Sequence, residues 1–156
     1  MEIEKKYLVK EVPNDLTKYD VWELEQCYLC TNPTVRIRKK NDSYILTYKN
    51  RNEKEKKLAG DSLCVSQEVE MPLTKEAFYH LKDKADGTCI CKSRYRIPYG
   101  KYTIELDVFH KEKEGLILAE VEFDSVEEAH AFIPPYWFGE DVSGNYQYSN
   151  SYLSNH

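Results

Sequence analysis

Apolar and polar residues alternate along most of the chain. The opening stretch, MEIEKKYLV, carries Glu2, Glu4 and Lys6 at every second position. Because alternate side chains of a β-strand point to the same face, these three charged groups share one face of a predicted first strand. The same alternation, broken by polar turns, predicts eight strands. They are expected at residues 2–9, 22–30, 34–40, 43–50, 64–71, 89–97, 101–109 and 116–123.

Two segments have helical rather than strand patterns. Thr74 is a candidate N-cap for an amphipathic helix that is expected to end near Asp86-Gly87. Ser125 and Glu128 form a capping-box pattern for a second helix, which the following prolines stop. The charged segment 51–61 is predicted to be an exposed loop. Many strands with two helices indicate an antiparallel sheet or barrel with the helices packed outside.

The charges in the predicted strands are segregated by sign. An ordinary antiparallel sheet turns its charged face to water, and its surface strands mix both signs. If the sheet closes with its charged faces inward, carboxylates and cations meet in a central lumen, and the helices cover the apolar outer faces. The acidic positions include 68, 70, 105, 107, 120 and 122, and the basic positions include 36, 38, 49, 92, 94 and 96.

A lumen of this kind indicates a ligand that is itself charged. Burying unpaired ions costs several kcal/mol per ion, so the charges need partners. The planar fork of arginine matches phosphate oxygens, and clustered carboxylates favour a hard cation such as Mg²⁺ or Mn²⁺. The chain has neither a GxxxxGK[ST] loop nor a Rossmann glycine fingerprint, so side chains must recognise the phosphates.

Length and composition limit the domain organisation, the partners and the cellular compartment of the protein. The 156 residues, 1–156, fit a single domain, and a net charge of −5 argues against nucleic acid or an anionic membrane as partner. Neither a signal peptide nor an apolar run of about 20 residues is present in the sequence, which favours a cytoplasmic protein. The five cysteines are expected to be reduced thiols packed as small hydrophobes. A zinc site from Cys27, Cys30, Cys89 and Cys91 is disfavoured, because strand spacing points Cys27 and Cys30 to opposite faces.

Several motifs occur in an order that resembles a known family. After the E-x-E-x-K opening come RIRKK at 36–40, LTYK at 46–49, EVE at 68–70, KSRYRI at 92–97, IELDVF at 104–109 and EVEF at 120–123. The chain thereby resembles the CYTH domain superfamily, the triphosphate tunnel metalloenzymes, and within it the small bacterial inorganic tripolyphosphatases. The resemblance implies a mainly β (α+β) fold, a closed eight-stranded antiparallel β-barrel tunnel with helices outside. It also implies Mg²⁺- or Mn²⁺-dependent hydrolysis of a triphosphate, with inorganic tripolyphosphate as the first candidate.

The resemblance also implies roles for individual residues. Lys92 would handle the proton of the attacking water, Lys6 would be the second catalytic residue, and Tyr28 would lie near one tunnel mouth. The implied phosphate-binding residues are Lys6, Arg36, Arg38, Lys49 and Arg94. The implied metal ligands are Glu2, Glu4, Glu120, Glu122 and Glu70, with Glu68 and Asp107 as helpers.

One segment departs from the family pattern. Close relatives carry a D-[KR]-R-Y-type stretch near the C-terminus, where this chain has Gly144–Tyr148. A cation expected near the end of the tunnel is therefore missing, which bears on substrate choice and turnover. Thiamine triphosphatase activity, class IV-type adenylate cyclisation and non-catalytic polyphosphate binding stay open as alternatives. The sequence does not distinguish a monomer from a homodimer.

Overall fold

The structure, a computed structural model, describes residues 2–50 and 64–156, so the loop expected at 51–61 lies outside the described residues. The described residues form nine strands and three α-helices. The strands are β1 (Glu2–Val9), β2 (Asp20–Thr31), β3 (Thr34–Lys40), β4 (Ser43–Asn50), β5 (Cys64–Pro72), β6 (Asp86–Tyr99), β7 (Tyr102–Phe109), β8 (Ile117–Phe123) and β9 (Phe138–Asp141). The helices are α1 (Lys75–Lys82), α2 (Val126–Ala131) and α3 (Asn150–Asn155).

Eight of these strands close into an antiparallel barrel. The order is β5-β4-β3-β2-β6-β7-β8-β1, and β1 pairs back with β5 through Glu2 opposite Ser66. Strand β9 then pairs with the other half of β1, from Tyr7 to Val9. The expected closed eight-stranded barrel is confirmed, and closure leaves few unpaired edges.

The outer faces of the barrel carry the apolar core. Ile3 and Tyr7 of β1 pack with Phe132 and Phe138, and the rings of Tyr7 and Phe138 lie 4.7 Å apart. A second outer cluster places Phe78 of α1 over β2 and β3. Because helices and loops bury these outer faces, the charged residues at alternate positions must point inward.

The first helix is shorter than the sequence predicts. It ends at Lys82, and β6 has already begun at Asp86. Gly87 has a φ of +63°, and a Cβ there would lie 2.3 Å from the carbonyl oxygen of Ser154. Gly87 is therefore the place where α3 docks closely onto β6. Strand β9 and helix α3 were not expected from the sequence.

The expectation of five reduced, independently packed cysteines is wrong. Cys27 of β2 and Cys89 of β6 form a disulfide, with Cα atoms 4.4 Å apart. The bond crosses two adjacent antiparallel strands, where side chains of neighbouring pairs come within bonding distance. Cys30 and Cys91 are free thiols. None of the described helices has the length and apolar character that crossing a membrane requires.

Candidate active site

The inward faces of the barrel strands enclose a cavity of about 700 Å³. Its wall brings together the carboxylates and cations that the sequence separates over more than a hundred positions. The predicted site residues at this wall are Glu2, Glu4, Lys6, Tyr28, Arg36, Arg38, Lys49, Glu68, Glu70, Arg94, Glu120 and Glu122. Lys92 and Asp107 also lie on inward-facing strand positions but are buried behind the wall.

Apolar side chains close one end of the cavity. Tyr28, Ile90, Phe109 and Leu118 pack together inside the barrel, and Leu153 of α3 packs against them. Tyr28 is only 2% exposed. Tyr28 lines the cavity beside this cluster, and its expected position near a tunnel mouth stays a prediction. The opposite end of the cavity carries Arg96, whose side chain is 38% exposed, and is open to solvent.

The segment that departs from the family pattern lies at the closed end. Residues Tyr146–Tyr148 form a 3₁₀ turn immediately before α3. The ammonium of Lys6 donates a hydrogen bond of 2.9 Å to the carbonyl oxygen of Tyr148. Ser149 and Asn150, which follow the turn, line the cavity. In this segment the chain therefore supplies a backbone acceptor that holds Lys6.

Three carboxylates at the cavity wall repel one another. Burial raises the pKa of Glu4 to about 7; the Lys49 charge opposes this rise, whereas Glu120 and Glu2 add to it. Burial and the charges of Glu2 and Glu4 likewise raise the pKa of Glu122 to about 7. The ammonium of Lys49 pairs with Glu2 and lies 3.9 Å from a Glu4 oxygen. The single ammonium of Lys49 therefore compensates only part of the negative charge of this acidic cluster, which consists of Glu2, Glu4 and Glu122.

The acidic cluster has the donor chemistry of a divalent-cation site. Mg²⁺ and Mn²⁺ prefer carboxylate oxygens, and a bound cation would relieve the repulsion that raises the pKa values of Glu4 and Glu122. Among the described residues, no three acidic, histidine or cysteine side chains already converge as a preformed metal site. The carboxylate oxygens are therefore suitable ligands for such an ion. Their present positions are set by ion pairs with the cations of the barrel.

Glu120 differs in its charged partners from Glu122, which lies two positions further along β8. One of its oxygens lies 3.3 Å from Nζ of Lys6, and the other lies 3.3 Å from Nη2 of Arg94. Although burial alone would raise the pKa of Glu120, these two cations hold it well below the usual range. Glu120 is thus a permanent anion that orients Lys6 and Arg94.

The arginines form the opposite half of the wall. Burial, together with the nearby charges of Arg36 and Arg94, lowers the pKa of Arg38 to about 10. The Nε atoms of Arg36 and Arg38 are buried and have no hydrogen-bond partner among the described residues. Buried donors without acceptors are costly, so the site is built for a ligand rich in oxygen acceptors.

Lys92 and its partner Asp107 are both deeply buried near the cavity. Lys92 is 1% exposed, and its Nζ donates a 2.7 Å hydrogen bond to Asp107. Burial lowers the pKa of Lys92 to about 8 although Asp107 opposes the change. Arg94 donates to the same carboxylate from Nε at 2.7 Å and from Nη2 at 2.9 Å. Asp107 therefore links Lys92 to an arginine that does reach the cavity wall.

Three residues of the cavity wall were not among the predicted site residues. Gln26 and Trp22 share the inward face of β2 with Tyr28, and Lys40 continues the face of Arg36 and Arg38. Both amide atoms of Gln26 are buried without a hydrogen-bond partner in the described part of the chain. The period of two could have found these positions, since it applies to neutral residues as well.

Comparison with known proteins identifies the family. No protein-family model matches the chain. An inorganic triphosphatase of Nitrosomonas europaea is 35% identical over 98% of this chain and 96% of that protein. The chain belongs to the inorganic triphosphatase family. Another member, from Acetivibrio thermocellus, is 33% identical over 97% of this chain and 92% of its own length.

Solved structures agree with this family. The structure of an inorganic triphosphatase matches with a TM-score of 0.70 at 32% identity, covering all of this chain and 95% of that one. A Hippeastrum protein, described as a putative adenylyl cyclase with a dominant triphosphatase activity, has a TM-score of 0.59 at 14% identity and covers 84% of this chain and 83% of that one. This second likeness shows the shared fold. The resemblance of the sequence to the triphosphate tunnel metalloenzymes is confirmed.

Proposed function

We propose that the protein hydrolyses a linear triphosphate, inorganic tripolyphosphate in the first place, inside the barrel cavity in the cytoplasm with Mg²⁺ or Mn²⁺ as cofactor. The observation that carries the proposal is the division of the cavity wall into a cluster of arginines and a cluster of carboxylates. The names of the two family members support the same activity.

The cationic half of the wall is suited to a chain of phosphates. Arg36 and Arg38 have buried Nε donors that lack partners among the described residues. Burial, and then the charges of Arg36 and Arg94, lower the pKa of Arg38. Lys6 extends the row toward the closed end. Phosphate oxygens would accept from these groups and remove the repulsion between them. Lys49 would join them once it is released from Glu2.

The acidic half would hold the cation. Glu2, Glu4 and Glu122 are the ligands that the electrostatics favour, and the predicted contributions of Glu120 and Glu70 remain predictions. A bound divalent ion would neutralise charge on the phosphate oxygens. The carboxylates lie on one side of the cavity and the arginines on the other. The polyanion therefore has one preferred orientation across the cavity.

Lys92 would receive the proton of the attacking water. A lysine with a pKa of about 8 is partly neutral in mildly alkaline solution, and a neutral amine is a base. Asp107 holds the amine and Arg94 in fixed relative positions. Lys6, which lies between Glu120 and the Tyr148 carbonyl, would stabilise negative charge on the reacting phosphate.

A phosphate-release assay tests the proposal. The purified protein is given tripolyphosphate, ATP or thiamine triphosphate, each with Mg²⁺, Mn²⁺ or EDTA. We expect metal-dependent release that is fastest from tripolyphosphate and absent in EDTA. Tripolyphosphate binding without release from any substrate would instead indicate a binding module. Cyclic AMP and pyrophosphate from ATP would indicate a cyclase.

A further inference from the structure

A tryptophan stands at the open end of the cavity. Trp22 lines the cavity on the same face of β2 as Tyr28, which belongs to the apolar cluster at the closed end. The two positions are six residues apart, which corresponds to about 20 Å along an extended strand. A second depression, lined by Arg96 together with the exposed Lys101, adjoins the cavity at that end. Trp22 therefore lies where a ligand enters.

Both faces of the indole are taken by cations. Nζ of Lys40 lies 3.3 Å from the ring centroid, and Cζ of Arg96 lies 4.4 Å from it. Strand β2 runs between β3, which carries Lys40, and β6, which carries Arg96, so the two cations approach the ring from opposite sides. Cation–π attraction in such a position holds each charged group against the ring.

Acidic side chains do not fully compensate the charges of these two cations. Burial and the charges of Arg38 and Arg96 lower the pKa of Lys40, with Glu105 and Glu70 opposing. Nε of Arg96 is buried, has no hydrogen-bond partner among the described residues, and lies 4.0 Å from Glu105. Two like charges at the same ring, both lining the cavity, attract an anion to this end.

We propose that Trp22 is a specificity-determining positioning residue that makes the mouth of the cavity a subsite for an unesterified terminal phosphate. It does so by holding Lys40 and Arg96 over its two faces. The inference rests on the proposed triphosphatase function and names the substrate class, which is an inorganic polyphosphate rather than a nucleotide.

The chemistry of the two substrate classes explains the discrimination. The outermost phosphate of tripolyphosphate is a terminal group that carries up to two negative charges. A nucleoside triphosphate has to leave its nucleoside at the mouth, because apolar side chains fill the other end of the cavity. Its phosphate at the mouth is then the esterified α-phosphate, which carries one negative charge. A base entering the mouth would find both faces of Trp22 already covered, so it could not stack there. The sandwich thus favours the ligand with the higher charge at this end.

Metal-free binding separates this role from a merely structural one. Titration calorimetry in EDTA measures the affinity of the full-length protein for tripolyphosphate and for ATP. The variants are Trp22→Leu, which removes the ring, and Trp22→Phe, which keeps an aromatic face. Tyr48→Leu on the outer surface of β4, where Tyr48 is 38% exposed, is the matched control. Thermal unfolding shows that each variant is folded.

We expect Trp22→Leu to weaken tripolyphosphate binding about tenfold, and ATP binding less than about twofold. Trp22→Phe should recover most of the loss, and Tyr48→Leu should change neither affinity. Equal weakening toward both ligands, or no weakening toward tripolyphosphate, would overturn the inference. The wild-type protein could bind tripolyphosphate and yet release phosphate from no substrate with either metal. The proposed function would then fail, but the binding comparison would still decide the role of Trp22.

Discussion

Glu4 gives the most quantitative test of the acidic half of the cavity. It is partly buried beside Glu2 and Glu120, and its pKa is raised from 4.5 to about 7. A raised pKa means that the folded protein binds this proton more tightly than the unfolded chain does. Stability from Glu4 is therefore fully present below about pH 4.5 and is lost as pH rises through about 7.

The size of the effect follows from the same two values. At about 1.4 kcal/mol for each pH unit between 4.5 and about 7, the ionised carboxylate costs the metal-free protein at most about 3.5 kcal/mol above pH 7. Glu4→Gln keeps the shape of the side chain and removes its charge. We expect the variant to exceed the wild type in free energy of unfolding at about pH 8 and to match it at about pH 4.

Urea denaturation in EDTA measures this difference. The wild type, Glu4→Gln and the control Glu11→Gln, which alters an exposed glutamate beyond β1, are unfolded at both pH values. The control should follow the wild type at each pH. A Glu4→Gln protein that is less stable than the wild type at about pH 8, or that differs from it equally at both pH values, would refute the electrostatic reasoning.

Three other predictions concern the metal, the base and the disulfide. Mg²⁺ at about 100 times its dissociation constant should raise the free energy of unfolding by about 2.7 kcal/mol, and by clearly less in Glu122→Gln; equal stabilisation of both proteins would exclude Glu122 as a ligand. The kcat for tripolyphosphate should rise with pH through about 8 as Lys92 becomes neutral. Lys92→Ala should lower kcat about a hundredfold with little change in binding. A mild, equal effect on kcat and affinity would contradict the role of Lys92 as the base. Reducing the Cys27–Cys89 bond, which joins positions separated by 62 residues, should lower the free energy of unfolding by about 4 kcal/mol; Cys30→Ser is the control, and unchanged stability on reduction would argue against the bond.

Alternation predicts most of the barrel because it is a local property of each strand. The register of β1 against β8, with Lys6 opposite Glu120, is not local, yet it decides that Glu120 pairs with cations while Glu122 faces other carboxylates. Sequence reasoning gave both glutamates the same role, since they share one motif.

The elements that were missed have weak local signals. Strand β9 is only four residues long, and α3 is a polar segment that has no complete helical period of apolar residues. Their positions depend on contacts with β1 and with Gly87 of β6. The closed end of the cavity could not be predicted for the same reason, because Leu153 completes it from the far end of the chain.

The inward position of the cations is the central claim, and two adjacent residues of β3 test it directly. Arg38 lines the cavity, whereas Lys39 follows it on the opposite, outer face. Tripolyphosphate affinity in EDTA is measured for the wild type, Arg38→Ala and Lys39→Ala. We expect Arg38→Ala to raise the Kd at least about tenfold, the worth of a hydrogen bond to a charged group, and Lys39→Ala to change it less than about twofold. Equal effects of the two substitutions would contradict binding inside the barrel.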